Sequence, residues 1–415
     1  MKESSGVLPE GRDIRDTRGF ILSGITMTHV LFHLFQQSLL VLLPNLRATF
    51  NLSNVQTTSI AAVQEIVAGC IDLPGGVAMD LLKRYWGLVM TLCMAGLGIG
   101  WLVVALSPVY PILLSGLAIV AATSSLWHLP AMAVLSNRFA GRRGFGLSVY
   151  GIGGNVGDII GPAVTGLLLA VVGWRSIINI YALVPFFLIF LVFWAFRHIG
   201  RVDQNQNQAL TKGALQRQLF YIKDMIRNRP LWGLILVAGI RGMAFVAFTT
   251  VISLYAKDVI NLNGPTRGLY FSLLSLAGLV SSPILGYLSD RFGRKWVLVP
   301  NNITLSVLIL LMAWYGNQGA FPFLLVLIGV FLYSDQPILT AAALDLVGDR
   351  VTTTTIGVVS FSRLTLSGPS AVLAGWLYNT EFGTFGPIVF YFILGLFLLA
   401  ACLLYLLPLP KTSFR

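Results

Sequence analysis

The sequence predicts an all-α integral membrane protein whose twelve transmembrane helices form two pseudo-symmetric six-helix bundles. Three observations lead there. Apolar runs long enough to cross a bilayer recur along the whole chain, basic residues gather in alternate loops, and the two halves repeat each other's residues at fixed offsets.

The apolar runs set the class. Of 415 residues, 56% are hydrophobic and 11% charged, and the mean hydropathy is +0.80. A soluble domain carries roughly a quarter of its residues charged, whereas crossing ~30 Å of hydrocarbon takes about twenty apolar residues. Such runs place spans at 19–44, 55–79, 86–107, 109–136, 145–171, 176–196, 231–256, 268–289, 295–315, 321–345, 356–378 and 387–408. Residues 1–18 form a polar N-terminal segment and 409–415 a tail. No cleavage site follows the first run, so it is expected to stay as a helix and not as a signal peptide. Residues 197–230 form a central loop between the 19–196 and 231–408 bundles. Within it Leu215, Leu219, Phe220, Ile222 and Ile226 alternate with Arg217, Lys223 and Arg227, the pattern of a helix lying on the membrane surface.

The charge is a topology signal. A net charge of +12 would suit a nucleic-acid partner if it formed a patch. With the N-terminus placed in the cytoplasm, however, 22 of the 28 lysines and arginines fall in cytoplasmic segments. That is the positive-inside rule, with both termini cytoplasmic and no nucleic-acid partner. The three cysteines, Cys70, Cys93 and Cys402, stand in separate spans and read as small core residues.

The repeat is legible at two offsets. At 210, Asn51-Leu52 meets Asn261-Leu262, Gly76 meets Gly286, Asp80 meets Asp290, Arg84 meets Arg294 and Trp86 meets Trp296. At 207, His128-Leu-Pro130 meets Asp335-Gln-Pro337, and Gly161-Pro162 meets Gly368-Pro369. A duplication of this kind places a binding site between the halves near the membrane midplane. No nucleotide-binding P-loop is present to supply energy from ATP.

Gly286-Tyr-Leu-Ser-Asp290-Arg291-Phe-Gly293-Arg294-Lys295 resembles the G-x-x-x-D-R-x-G-R-K/R motif of the major facilitator superfamily, and a degraded copy keeps Gly76, Asp80, Lys83 and Arg84. The resemblance covers the whole chain. It implies that Asp290 with Arg294, and more weakly Asp80 with Arg84, latch the cytoplasmic ends of neighbouring helices. A carboxylate with an arginine one turn on is suited to that, as a breakable charge-assisted pair. Gly157-Asp158-x2-Gly161-Pro162-x3-Gly166 is similar to the fifth-helix motif of the family's proton antiporters, with Thr165 in place of one final glycine. Small residues every fourth position let helices approach closely. More narrowly, His29-x3-His33, Gln37-Ser38-Leu39-Leu40, Ser124-Ser125-x2-His128 and Gly153-Gly154-Asn155-x-Gly157 resemble the fosmidomycin-resistance-type exporters, where Asp usually stands at the position of His33.

A charge at the bilayer centre costs ~2.5–3.5 kcal/mol on insertion scales, so each one should face the bundle interior and have a task. Thr26, His29, His33 and Gln37 recur at steps of three and four and form one polar stripe of the first helix. The resemblance puts His29, His33, Gln37, His128, Arg241 and Asp335 around one central cavity, because spans 1, 4, 7 and 10 line it in that family. Histidines titrate near physiological pH and can relay protons. Arg241 is suited either to an anionic group or to an ion pair with Asp335. Glu65, Asp158 and His33 are the candidates for proton coupling, while Arg363 and Asp72 are read as charge compensation. The helix-1 histidines could share a cation, but no third soft ligand is evident, and no metal or cofactor is assigned.

Together these features lead us to expect a secondary active transporter working by alternating access in a bacterial inner membrane, as a monomer. Its partners would be a small organic or anionic solute, protons and the bilayer, with proton-coupled export as the expected mode. The alternative is an organic-anion uptake or exchange carrier using Arg241 and Arg363. An enzyme is not expected: an intramembrane aspartyl protease needs Gly-x-Gly-Asp, and Asn155-Val-Gly157-Asp158 lacks the first glycine.

Overall fold

The computed structural model describes residues 13–139, 142–200, 228–347, 352–378 and 387–409. The expected interfacial helix of the central loop, at 201–227, lies outside the described residues. The N-terminal half contains α1 (Arg18–Phe50), α2 (Asn54–Leu81), α3 (Trp86–Leu106), α4 (Tyr110–Arg138), α5 (Arg143–Leu168) and α6 (Trp174–Phe196). The C-terminal half contains α7 (Arg229–Asp258), α8 (Gly264–Phe292), α9 (Arg294–Tyr315), α10 (Phe321–Leu332), α11 (Asp335–Val347), α12 (Thr352–Leu377) and α13 (Ile388–Leu406). Helices α10 and α11 share one of the twelve expected spans, broken at Tyr333-Ser334. Among the described residues, nine spans are long and apolar enough to cross a membrane, counting α10 and α11 as one.

The duplication is visible in the backbone. Asn51 and Asn261, 210 residues apart, are the two non-glycine residues with positive φ among the described residues, at 50° and 58°. Asparagine tolerates that left-handed conformation: Asn51 caps the end of α1, and Asn261 turns the chain three residues after α7 ends. Two residues on, Ser53 and Asn263 cap α2 and α8 by accepting from the N–H groups of Gln56 and Thr266.

The halves are joined towards the end of the bundle opposite the termini. There Arg47 at the end of α1 pairs with Asp258 at the end of α7, and Tyr378 donates to the same carboxylate at 3.2 Å. Arg267, 3% exposed, donates to the Val41 carbonyl at 3.1 Å and to Asn45 at 3.2 Å. The side chain of Asn54 reaches the Tyr378 carbonyl at 2.8 Å. At the same end α5 lies on α8: a Cβ on Gly166 would stand 2.9 Å from Gly268 Cα.

The break between α10 and α11 explains Arg241. Ending a helix inside the membrane frees carbonyls that no water can satisfy. Arg241 donates to the Leu332 carbonyl at 3.2 Å, and its Nε lies 2.5 Å from Asp335, the first residue of α11. Asn301 and Asn302 of α9 also donate to that carboxylate, and the guanidinium lies 4.7 Å over the Phe397 ring of α13. Arg241 is 5% exposed and Asp335 1%. The expectation that both line the central cavity with the histidines is therefore corrected. The pair faces inward between α7, α9 and α13, where the broken helix needs a donor and each charge needs a partner.

Removing one member of a buried pair costs ~3–5 kcal/mol, whereas replacing both by apolar residues of similar volume is often neutral. Arg241→Met and Asp335→Leu should each lower the thermal unfolding midpoint in detergent, and the double variant should recover most of the loss. An anion anchor would behave otherwise, losing solute binding in the double variant as in the single ones.

Candidate functional site

The site is built where α5 meets α1. Glycines at 154, 157 and 161 turn one face of α5 into a groove for α1. A Cβ on Gly157 would stand 2.7 Å from His33 Cβ, and one on Gly161 would overlap the Leu34 carbonyl. A Cβ on Gly154 would stand 3.2 Å from Nε2 of both His29 and His33. Glycine is required at these positions because a neighbouring backbone or ring occupies the space of a side chain.

This approach brings three histidines together. His29 stacks on the Tyr150 ring at 3.8 Å between centroids and 7° between planes, and its Nδ1 donates to the Tyr150 carbonyl at 2.7 Å. His33 lies one turn further along α1, with Nδ1 2.9 Å from Asp158 Oδ1. From α4 comes His128, whose Nδ1 is 2.7 Å from the Tyr150 hydroxyl. The ring centroids of His33 and His128 stand 4.5 and 4.9 Å from that of His29, and 5.9 Å from each other. His29 is buried, while His33, His128 and Asp158 are half-buried. Sequence reasoning left the helix-1 pair without a third soft ligand; the fold supplies His128, which α4 carries to within one ring of the pair.

A second polar group faces the other half. Glu65 of α2 accepts from Ser367 of α12 at 2.9 Å, and Asp72, two turns on, takes a short hydrogen bond from Ser125 of α4. Arg363, one turn from Ser367, acts electrostatically on both acids, and its Nε has no hydrogen-bond partner among the described residues. Ser125 and His128 are three residues apart on α4 and share a face, so the acids and the histidines border one continuous polar surface. Gln37 closes it on the side of α10, its Nε2 3.4 Å from the Tyr333 hydroxyl, which also meets Ser275 of α8 at 3.3 Å. His29, His33, Glu65, Asp72, His128, Asp158 and Arg363 all lie within two turns of their helix midpoints, which puts them near the middle of the span.

The motif at the α8–α9 junction closes on itself and on α11. Arg294 pairs with Asp290 four residues earlier, reaches Asp345 of α11 at 3.0 Å, and donates to Ser289 at 2.8 Å. Gly293 between the helices has φ 99°, a conformation that favours glycine. A Cβ on Gly286 would meet open space, and Arg291 is exposed. In the degraded copy Arg84 is exposed against the Tyr85 ring, and the side chain of Asp80 lies outside the described residues. In the antiporter-like motif, Pro162 offers its carbonyl towards Gly268 of α8, and Gly166 packs on the same residue.

Several of these residues escaped the sequence reading. Tyr150 carries no charge and reads as one more aromatic, yet it touches two of the three histidines. Arg47 and Asp258, at the ends of α1 and α7, pair across the two halves, a contact that no motif in the sequence announced. Asn301-Asn302 inside an apolar span was the overlooked sign of a buried charge nearby.

The comparisons agree with this architecture. The chain matches the family model described as Major Facilitator Superfamily over residues 25–363 and 261–414. It is 24% identical over 346 residues to the uncharacterized MFS-type transporter YfnC of Bacillus subtilis (strain 168), covering 80% of each chain. It is 21% identical over 374 residues to the fosmidomycin resistance protein of Escherichia coli (strain K12), covering 88% of this chain and 84% of that one. Among solved structures, a bacterial homologue of the human lysosomal transporter Spinster, inward-facing and occupied, superposes with a TM-score of 0.75 at 14% identity, covering 94% and 96% of the two chains. The chain is a multi-pass membrane protein, a secondary transporter and not an enzyme. It belongs to the Major Facilitator Superfamily.

Proposed function

We propose that this transporter exports a small organic solute in exchange for protons, with the solute and the protons meeting at the midplane surface formed by α1, α2, α4, α5 and α12. The observation that carries the reading is the pairing of His33 with Asp158 beside His29 and His128, facing Glu65 and Arg363 at the contact between the halves. A proton arriving on His33 turns its hydrogen bond to the Asp158 carboxylate into an ion pair. One arriving on Glu65 cancels its attraction to Arg363 and weakens a contact that spans the two halves. Proton and solute then compete for the same charges, which is the requirement for exchange.

Export is supported by the relative named for fosmidomycin resistance; the seal at the end opposite the termini describes one state, which export and uptake carriers share. With the termini in the cytoplasm, as the positive-inside count implies, the sealed end faces outward and the solute enters from the cytoplasm. A second reading rests on Arg363, whose Nε is free of hydrogen bonds among the described residues. It makes the solute an organic anion anchored there, taken up or exchanged. Arg241, engaged by Asp335, no longer supports that reading.

In proteoliposomes with an imposed pH gradient, solute efflux should follow the gradient. Glu65→Gln should reduce that stimulation at least about 10-fold while keeping gradient-independent counterflow. Flux indifferent to both the gradient and the substitution contradicts the coupling. Counterflow with a panel of carboxylates and phosphonates separates the second reading: an anion carrier loses counterflow in Arg363→Gln, and an exporter of neutral or cationic solutes retains it. At the seal, Asp258→Asn removes a half-buried pair of a kind worth ~0.2–1 kcal/mol. It should raise by up to a few fold the labelling of a cysteine placed at Gln37 by an impermeant thiol reagent added from outside.

A further inference from the structure

We infer that His29, His33 and His128 form a binding site for a divalent transition-metal ion, held through their three Nε2 atoms with a fourth coordination position left open. The inference rests on reading this cluster as a binding site, but not on proton coupling.

Three features of the cluster carry it. One ligand atom from each histidine lies within 4.8 Å of the other two. A tetrahedral ion with 2.0–2.1 Å bonds to nitrogen sets its ligand nitrogens about 3.3 Å apart, so small changes of ring orientation bring them into place. The second feature is the occupancy of the opposite nitrogens. Nδ1 of His29 faces a backbone carbonyl at 2.7 Å, Nδ1 of His33 a carboxylate at 2.9 Å and Nδ1 of His128 a tyrosine hydroxyl at 2.7 Å. A carbonyl and a carboxylate only accept, so they fix the Nδ1–H form of His29 and His33 and leave both Nε2 lone pairs free. Carboxylate and carbonyl partners on the far nitrogen are what metal-bound imidazoles characteristically have, because they set ring orientation and raise basicity. The third is space. With no side chain at 154, the Nε2 atoms of His29 and His33 look onto the same backbone position. Three imidazoles with one open position suit zinc, and also nickel or copper, and not magnesium or calcium, which take oxygen ligands. Among the described residues the cluster lies near the middle of the span, so an ion there has its open position available to a donor atom of the solute. The substrate class that follows is a small metal-chelating molecule or the hydrated ion itself.

The test uses the full-length protein in nanodiscs, freed of any polyhistidine tag and titrated with Co²⁺ and with Zn²⁺ alone. The expected result is one ion per chain, the intense visible bands of tetrahedral Co²⁺, and their displacement by Zn²⁺. His33→Ala and His128→Gln should each weaken binding at least about 100-fold. Asp158→Asn, which keeps all three ligands, should weaken it about 10–100-fold. His198→Ala, which removes the fourth histidine of the chain, should change nothing. Helical circular dichroism and elution volume verify that each variant is folded, and His33→Gln or His29→Gln, which keeps a polar side chain of similar size in place, replaces any that is not. No binding by the wild type, or binding unaltered in His33→Ala and His128→Gln, overturns the inference. Glu65→Gln keeps the readings apart: it should bind Co²⁺ like the wild type while losing proton-driven flux. Retained flux there sinks the coupling and leaves the metal site standing.

Discussion

With glycine at 154, 157 and 161, α5 lies against α1 at the distance of backbone contact, and much of the midplane arrangement follows from that approach. The same helix presents Pro162 and Gly166 to Gly268 of α8 in the other half. One helix therefore organises the histidine cluster on one side and the contact between the halves on the other. A larger side chain at 157 would push α1 outward, separate His33 from Asp158, and remove the carbonyl of Tyr150 from His29. Lipid gives helices no hydrophobic reason to associate, so this packing, with the hydrogen bonds it brings within reach, is what keeps the polar groups together.

The duplicated halves have diverged in how they handle charge. In the C-terminal half Arg241 and Asp335 are consumed by a structural task, closing the break between α10 and α11. At the equivalent position of the N-terminal half stands His128, held by the Tyr150 hydroxyl beside His29, in a span that runs unbroken. The junction motif shows the reverse. Its C-terminal copy is complete and ties α8, α9 and α11 together, whereas Arg84 of the N-terminal copy lies exposed. The histidine cluster thus lies in one half and the Arg241 and Arg294 ion pairs in the other, with Glu65, Ser367 and Arg363 at the line where they meet.

Much of the fold was legible because its causes are local. Twenty-residue apolar runs and loop charges depend on residues near one another in sequence, the offset of 210 is read by aligning one half with the other, and the helix ends differ from expectation by a few residues. The extension of α1 to Phe50 through Pro44 was missed because proline usually ends a helix. The site was legible only in parts. The stripe of His29, His33 and Gln37 follows from helical periodicity, but the neighbours that give it meaning come from elsewhere. Tyr150 and His128 are brought in by α5 and α4, and α5 also supplies Asp158, the partner of His33. Arg241 was misplaced because membership of a cavity-lining helix does not say which side of that helix a residue occupies. Its partners on α9 and α13 decide that.

The central claim is that one set of midplane groups is reached from one end of the bundle at a time. Electron–electron distance measurements test it directly, with one spin-label pair at Lys83 and Phe292, near the end that carries the termini, and another at Val171 and Lys257, near the sealed end. As pH and solute are varied, the account predicts two populations at each pair, with the lengthening of one distance matched by the shortening of the other. Distances that stay fixed at both ends, or that lengthen together, would contradict it.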